Sequence, residues 1–393
     1  MNNKATAAAR RARRTKRSVV AGGVALLAAL AGCSSAGSSG VSAAGACAHP
    51  SSISAPVLST LTGTQRSQTA TLICQAKSES SFTWIDSVVA PATAAAMIKE
   101  FQQQYGLSFK LNYNRLTSGE LSTQIQQQVT ASKINTDFFG TSSPELFSEL
   151  KDSNALLHYT SPESSHYTYA AKYVSEQPGY WIAPVAYAFA IVVNPAVYSK
   201  PLTSWSDLSD AALKGKVDMP NVAANEGSLY WYYGLKSVLP ASVFHAWASN
   251  DPKTSSGSSA QEVQKVAEQQ IAVAVTAGFR VSQTVAQTKV PLKVYYPSQG
   301  TVLDGQTYGI LANSPDPAIA ELFDDFLLSK AGQQIYVDKE GIASFYTGVN
   351  PPSADLAYQP AISSMSIIPL NTDKVSSADL TNARNDWKSI FSQ

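Results

Sequence analysis

The stretch Tyr295-Tyr296-Pro297-Ser298-Gln299-Gly300-Thr301, followed through to Gly341, decides how the chain reads. Within it Ile319, Leu322, Phe323, Phe326 and Leu327 recur at i, i+3, i+4, i+7 and i+8, one apolar face of a helix. Pro315 and Pro317 mark the helix entry. Ahead of it, Tyr308 to Ala312 reads as a short buried strand. After it, Lys330-Ala331-Gly332-Gln333-Gln334 opens a second helix.

Upstream, strand and helix patterns alternate. Phe82 to Val89 reads as a strand, and Met97, Phe101 and Tyr105 mark a helix face at four-residue spacing. Leu107 to Tyr113 and Thr136 to Phe139 read as further strands, with helix faces at Leu121, Ile125 and Val129 and at Leu146, Phe147 and Leu150. Such alternation implies parallel strands joined by crossovers, an α/β sheet. Tyr187 to Asn194 is a continuous strand and a candidate crossing between lobes; Leu292 to Tyr296 is a candidate for the return. Between them lie a helix through Leu229, Tyr232 and Tyr233, a helix capped by Ser259 with Glu262, and a strand from Ile271 to Val275.

Two segments carry a family resemblance. Pro201 to Pro220 contains Ser204-Trp205, Asp207-Leu208, Lys214-Gly215-Lys216 and Met219-Pro220, and Phe323 to Gln333 follows Phe-x-x-Phe-Leu-Leu-Ser-x-x-Gly-Gln. Both resemble segments of the solute-binding proteins of bacterial ABC importers, in the branch of ferric-ion, 2-aminoethylphosphonate, sugar-phosphate and thiamine binders. The resemblance spans Phe82 to about Asn350. It implies a type II periplasmic-binding-protein fold: two hinged lobes, each a mixed sheet flanked by helices, closing over a small-molecule solute that passes to an ABC permease and its ATPase. The expected divisions are residues 1–32 as leader, 33–80 as tether, 81–186 as the first part of lobe 1, 187–296 as lobe 2, and 297–393 as the return of lobe 1 with C-terminal helices. The last helix, Asp379 to Ser392, is expected on the first lobe.

The leader itself is legible. Residues 1–17 carry seven positive charges and no acid, an apolar run follows from Ser18 to Ala31, and Leu30-Ala31-Gly32 precedes Cys33. A basic n-region, a short apolar region and a small-residue cleavage site make an export signal. Its end resembles a bacterial lipobox, which implies lipidation at Cys33 and an extracytoplasmic protein anchored to the outer face of the cell membrane. Loss of the seven cations takes the formal charge from +1 to about −6, so a nucleic-acid surface is not indicated. Residues 34–70 have the Ser/Ala/Gly/Thr composition of a flexible linker. Cys47 and Cys74 lie outside the cytoplasm and either form a disulfide or stay as thiols.

Candidate ligand-binding residues follow from the strand-to-helix junctions, because open α/β sheets bind ligands beyond the carboxyl ends of their strands. These are Asp86 and Ser87 after the first strand, Ser118 in the Thr117–Glu120 capping box, and Thr141 and Ser142 before Pro144. Tyr187, Asn225, Ser228, Arg280 and Tyr296 complete the set. Helix N-termini favour anions. Arg280 either faces the cleft, where its planar fork suits phosphate, phosphonate or carboxylate, or pairs with an acid. Asp86 and Glu226 suit an amine on the same ligand. Iron binders of this branch resemble one another in adjacent tyrosines after the strand equivalent to Ile271–Val275. Here that position reads Thr276-Ala277-Gly278-Phe279-Arg280, which argues against iron. The chain has no Gly-x-Ser-x-Gly, His-Glu-x-x-His, Walker or Cys/His motif, so it reads as a binding protein rather than an enzyme, monomeric and without cofactor. A passive surface lipoprotein is the other class considered.

Overall fold

The computed structural model describes residue 47 and residues 49–391, apart from 168, 169, 224 and 256. The leader and Cys33 lie outside the described residues. The chain runs α1 (Gly63–Ala76), β1 (Ser81–Asp86), α2 (Pro91–Tyr105), β2 (Lys110–Arg115), α3 (Ser118–Thr130), β3 (Phe138–Thr141) and α4 (Pro144–Asp152). It continues through β4 (Ile182–Val193), β5 (Val217–Pro220), α5 (Glu226–Leu235), α6 (Ala241–Ser249), β6 (Lys253–Ser255), α7 (Ser259–Ala267), β7 (Val273–Ala277), α8 (Arg280–Thr288) and β8 (Lys293–Tyr295). It closes with β9 (Leu303–Ile310), α9 (Pro317–Leu328), α10 (Lys330–Glu340), β10 (Ala343–Ser344) and α11 (Ser377–Phe391).

The strands follow the order β2-β1-β3-β9-β4-β7-β5-β6. β4 belongs to both halves of this array. Its residues from Ile182 to Ala188 pair antiparallel with β9, while Phe189 to Val193 pair antiparallel with β7. On the first side β1 is parallel to β2 and β3, and on the second side β5 is parallel to β6 and β7.

Each half builds its own core. In the first, Phe323 of α9 lies 5.0–5.4 Å, centroid to centroid, from Trp84, Phe82, Phe138 and Phe101, so one helix face locks onto β1, β3 and α2. In the second, Trp231 stacks on Trp247 at 6.3 Å and meets Trp205 and Phe189 at 5.6 and 5.5 Å. The indole N–H of Trp205 donates to Gly300 O at 2.8 Å, which satisfies the ring's polar edge inside an apolar core.

Four expectations need correction. Residues 49–80 are part of the body rather than a tether: Leu58, Ile73 and Ala76 are buried, and the Glu79 carboxylate accepts from the amides of Ala318 and Ile319 at the start of α9. The buried face of α1, Thr69, Ala70, Ile73 and Ala76, is helical in spacing but contains one large apolar residue, so composition concealed it. Of the two states open to Cys47 and Cys74, the expected disulfide is the one observed, with Cα atoms 5.7 Å apart.

The return crossing also differs. β8 pairs only with Val193, Val192 and Ile191, on the second side. The chain re-enters the first sheet through β9, whose first residue Leu303 faces Ala188. The cap of α7 is Ser258 with Gln261, one residue earlier than Ser259 with Glu262. Finally, α11 packs on the second half: Trp387 lies 5.0 Å from Tyr232, and Leu380, Ala383 and Ile390 are buried in the core with Trp231 and Phe244. The 345–376 segment therefore leads from the first lobe back to the second, a third passage between them, with Ile368 buried on the second core.

Truncating a buried aromatic side chain costs about 3–5 kcal/mol. Trp387→Ala should therefore lower the stability measured by urea unfolding by about 3 kcal/mol. A change under about 0.5 kcal/mol, the size of an ordinary surface substitution, would mean that α11 is not docked there.

Candidate functional site

The carboxyl ends of β1, β2 and β3 and the starts of α5, α7 and α8 face one cleft of about 440 Å³ between the two halves. Sequence and register explain the convergence. Asp86 ends β1 opposite Arg115, the last residue of β2, so both strands deliver a charged side chain to the same edge. Each following helix begins there because the chain must turn back across the sheet.

The helix starts are capped locally. The Thr117 hydroxyl accepts from Glu120 N at 3.4 Å, and the Glu120 carboxylate accepts from Thr117 N at 3.0 Å. Asn225 Oδ1 accepts from Ser228 N at 2.9 Å, and Ser258 with Gln261 repeats the reciprocal box. These caps take the third amide of each helix. The first two amides, those of Ser118 and Gly119, Glu226 and Gly227, and Ser259 and Ala260, have no intrahelical acceptor. α4 has no such cap: Ser143 precedes the helix without a side-chain capping bond. Ser142 instead sits 3.2 Å from Ser118, hydroxyl to hydroxyl.

Of the residues singled out from sequence, Ser87, Ser118, Ser142 and Tyr187 line the cleft, as do Asn225, Ser228 and Arg280. Three do not. Asp86 is fully buried behind the wall, where its Oδ1 accepts from Val88 N and Val89 N at 2.7 and 2.8 Å and from Gln306 at 3.1 Å. It organises the β1–α2 turn instead of contacting solute, and burial raises its pKa to about 7. Thr141 is likewise buried, with its hydroxyl unpartnered. Tyr296 lies outside the cleft and donates to Tyr358 O at 2.5 Å.

Arg280 is spoken for. Its guanidinium donates to Glu340 Oε2 at 2.8 Å and to Val88 O at 2.7 Å, and Glu340 also accepts from Ala90 N. Both partners are buried, so the pair ties α8 to α10 and to the β1–α2 turn. Burial lowers the arginine pKa, and Glu340 opposes that shift. Sequence reasoning missed Arg115, which is exposed at the cleft and makes no hydrogen bond or ion pair among the described residues. Its place at the end of a parallel strand was the available signal. Glu262 was likewise missed, whereas Glu226, expected to suit an amine on the ligand, does line the cleft. Burial lifts Glu262 to about 7, and Glu226 holds an unpartnered buried Oε2.

Beneath the cleft, the Tyr187 hydroxyl donates to Asp304 Oδ2 at 2.6 Å. A Cβ at position 227 would come within 1.9 Å of that same oxygen, so only glycine lets the first turn of α5 settle on Asp304. These two contacts join β4, β9 and α5 at the point where the halves meet.

A family model described as the bacterial extracellular solute-binding protein matches residues 86–334. The chain belongs to this family. Solute-binding proteins of this family serve ABC importers, and they are extracellular binding proteins rather than enzymes. Solved structures agree on the fold. The periplasmic binding protein AfuA from Actinobacillus pleuropneumoniae, with fructose-6-phosphate bound, is 19% identical with a TM-score of 0.66, covering 79% of this chain and 99% of that one. Iron-bound HitA from Pseudomonas aeruginosa is 18% identical with a TM-score of 0.61 over 79% and 99%. The substrate-binding protein of an ABC transporter from Agrobacterium tumefaciens is 16% identical with a TM-score of 0.67 over 80% and 96%. No curated protein sequence matches. The solute-binding protein is thus a mixed α/β, two-lobed molecule of the type II class. Among the described residues no helix is long and apolar enough to cross a membrane.

The Asp304 carboxyl at the lobe junction has a pKa pushed from 3.8 to about 7 by burial, with Tyr187 opposing and Glu226 adding to the shift. Between those values the folded state holds a proton that the unfolded state has released. Stability from this group is therefore present at low pH and lost as pH rises towards 7. Urea unfolding from pH 4 to 8 should show a shallower decline in Asp304→Asn, by at most about 1.4 kcal/mol per unit. An unchanged slope would mean that Asp304 is already ionised in the fold.

Proposed function

We propose that the solute-binding protein captures a small anionic solute, bearing a phosphonate or phosphate group, between its lobes and delivers it to an ABC permease with its ATPase. Arg115 is the observation that carries this reading. A guanidinium without hydrogen-bond or ion-pair partners among the described residues, at the cleft edge, leaves a cation free to meet an anionic group of the solute. The uncapped first amides of α3, α5 and α7 add donors, and the hydroxyls of Ser87, Ser118, Ser142 and Ser228 add more. Glu226, with its unpartnered oxygen, suits an amine on the same molecule, as in an aminophosphonate.

Arg280 contributes charge and position, while Glu340 holds its fork away from a bidentate grip on the solute. Phe279 and Arg280 occupy the position where iron binders of this branch carry tyrosines, and neither offers a phenolate to a ferric ion. AfuA, which shares the fold, has a sugar phosphate bound. Lipidation at Cys33 holds the receptor at the outer face of the membrane, and it acts as a monomer. Residues 49–188 and the return from Leu303 make the first lobe, and 189–302 make the second, with α11 added to the second.

A bound solute stabilises the fold by RT ln(1 + [L]/Kd), about 2.7 kcal/mol at a hundredfold excess over Kd. A thermal-shift panel of 2-aminoethylphosphonate, sugar phosphates, thiamine, polyamines and ferric citrate should respond to phosphonates or phosphates. Arg115→Ala should weaken that response by about tenfold in Kd, the loss of one charge-assisted contact. A response to ferric citrate alone would overturn the anion reading, and none across the panel would favour a passive surface protein.

A further inference from the structure

A second cavity, of about 370 Å³, opens in the first lobe between the 157–182 segment, β9 and α9, and it shares no lining residue with the cleft. Its wall includes Tyr159, Tyr180 and Trp181, together with two carboxylates, Asp324 and Glu176. Asp324 is 9% exposed and makes no hydrogen bond or ion pair among the described residues. The contrast with its neighbour is informative, because Asp325 accepts from the Tyr159 hydroxyl at 3.0 and 2.9 Å. Glu176 likewise holds a buried Oε1 without a partner.

Unpaired carboxylates are costly to bury, so two of them on one cavity wall call for a cation or for protons. Burial together with Asp325 and Glu321 raises the Asp324 pKa, and burial together with Asp373 raises Glu176 to about 8. The aromatic walls choose among cations. Calcium and magnesium need six or more oxygens, which rings do not supply. Aromatic faces do attract ammonium groups with an organic body. The polar ends of two rings are already engaged, Tyr159 by Asp325 and Trp181 by Ser175 at 2.8 Å, so their contribution to an occupant is apolar and cation–π contact. Tyr180 shows that this surface accepts such a charge: the Lys151 ammonium lies 5.2 Å from its ring centroid.

We propose that this cavity is a second binding site, separate from the cleft, for an organic ammonium ion whose charge meets Asp324 and Glu176 and whose body lies against Tyr159, Tyr180 and Trp181. No Lys or Arg side chain is among the residues that line this cavity, so an anionic solute finds no charge partner there, and the protein distinguishes two ligand classes at two places. The inference does not depend on the identity of the cleft solute.

Titration calorimetry of the full chain with benzyltrimethylammonium tests it. Saturable binding is expected, weakened about tenfold or more by Asp324→Asn and by Trp181→Leu, since each removes one of the two kinds of contact. If Asp324→Asn does not fold, Glu176→Gln supplies the same comparison. Benzyl alcohol, with the ring but without the charge, should not bind measurably. The proposal is overturned if the wild-type protein fails to bind the cation, or if the carboxamide variants bind it as tightly as wild type. It is also overturned if Glu226→Gln, in the cleft, abolishes binding while Asp324→Asn does not.

Discussion

One strand serves two sheets. The twelve residues of β4 pair with β9 as far as Ala188 and with β7 from Phe189 onward. Antiparallel pairing on both stretches means that neither half can shift register without moving the other. The strand is nearly all apolar and buried along its length, as a strand covered on both faces must be. Tyr187 is the exception in chemistry, and it stands at the junction with its hydroxyl on Asp304.

The cleft depends on that shared strand. Because β4 holds the halves side by side, the ends of β1, β2 and β3 face the helix starts of the second half across a narrow gap. Buried ions then fasten the hinge end. Arg280 reaches from α8 across to Glu340 and Val88, so the second half holds the first through a desolvated pair with charge-assisted bonds. Removing one member would leave the other charge uncompensated, which makes this contact more consequential than an exposed ion pair of the same length. The 345–376 segment, which passes from Phe345 at the first lobe to Ile368 on the second core, adds a third connection.

Legibility differed by kind of signal. The helix around Phe323 was plain because five large apolar residues repeat on one face, and its aromatic contacts are the centre of the first core. The helix α1 was hidden because its buried face is mostly Thr and Ala, whose burial depends on a neighbour, α9, some 240 residues away. In the cleft, the serine-rich turns were found from capping patterns and strand ends. Asp86, Thr141 and Tyr296 were placed wrongly because spacing puts a residue at an edge without saying whether it faces solute, protein or the opposite surface.

The sequence by itself determined the alternation of strands and helices, the site-bearing junctions, the export signal as an expectation and the family. Those properties are carried by local periodicity, capping and motif order, which neighbouring residues settle among themselves. Only the tertiary structure decided that Arg280 is tied to Glu340 while Arg115 stands free, that α11 joins the second lobe, and that Asp324 lies unpaired beside aromatic rings. Each depends on partners distant in sequence, and a charged side chain's role is set by whichever group meets it after the chain has packed.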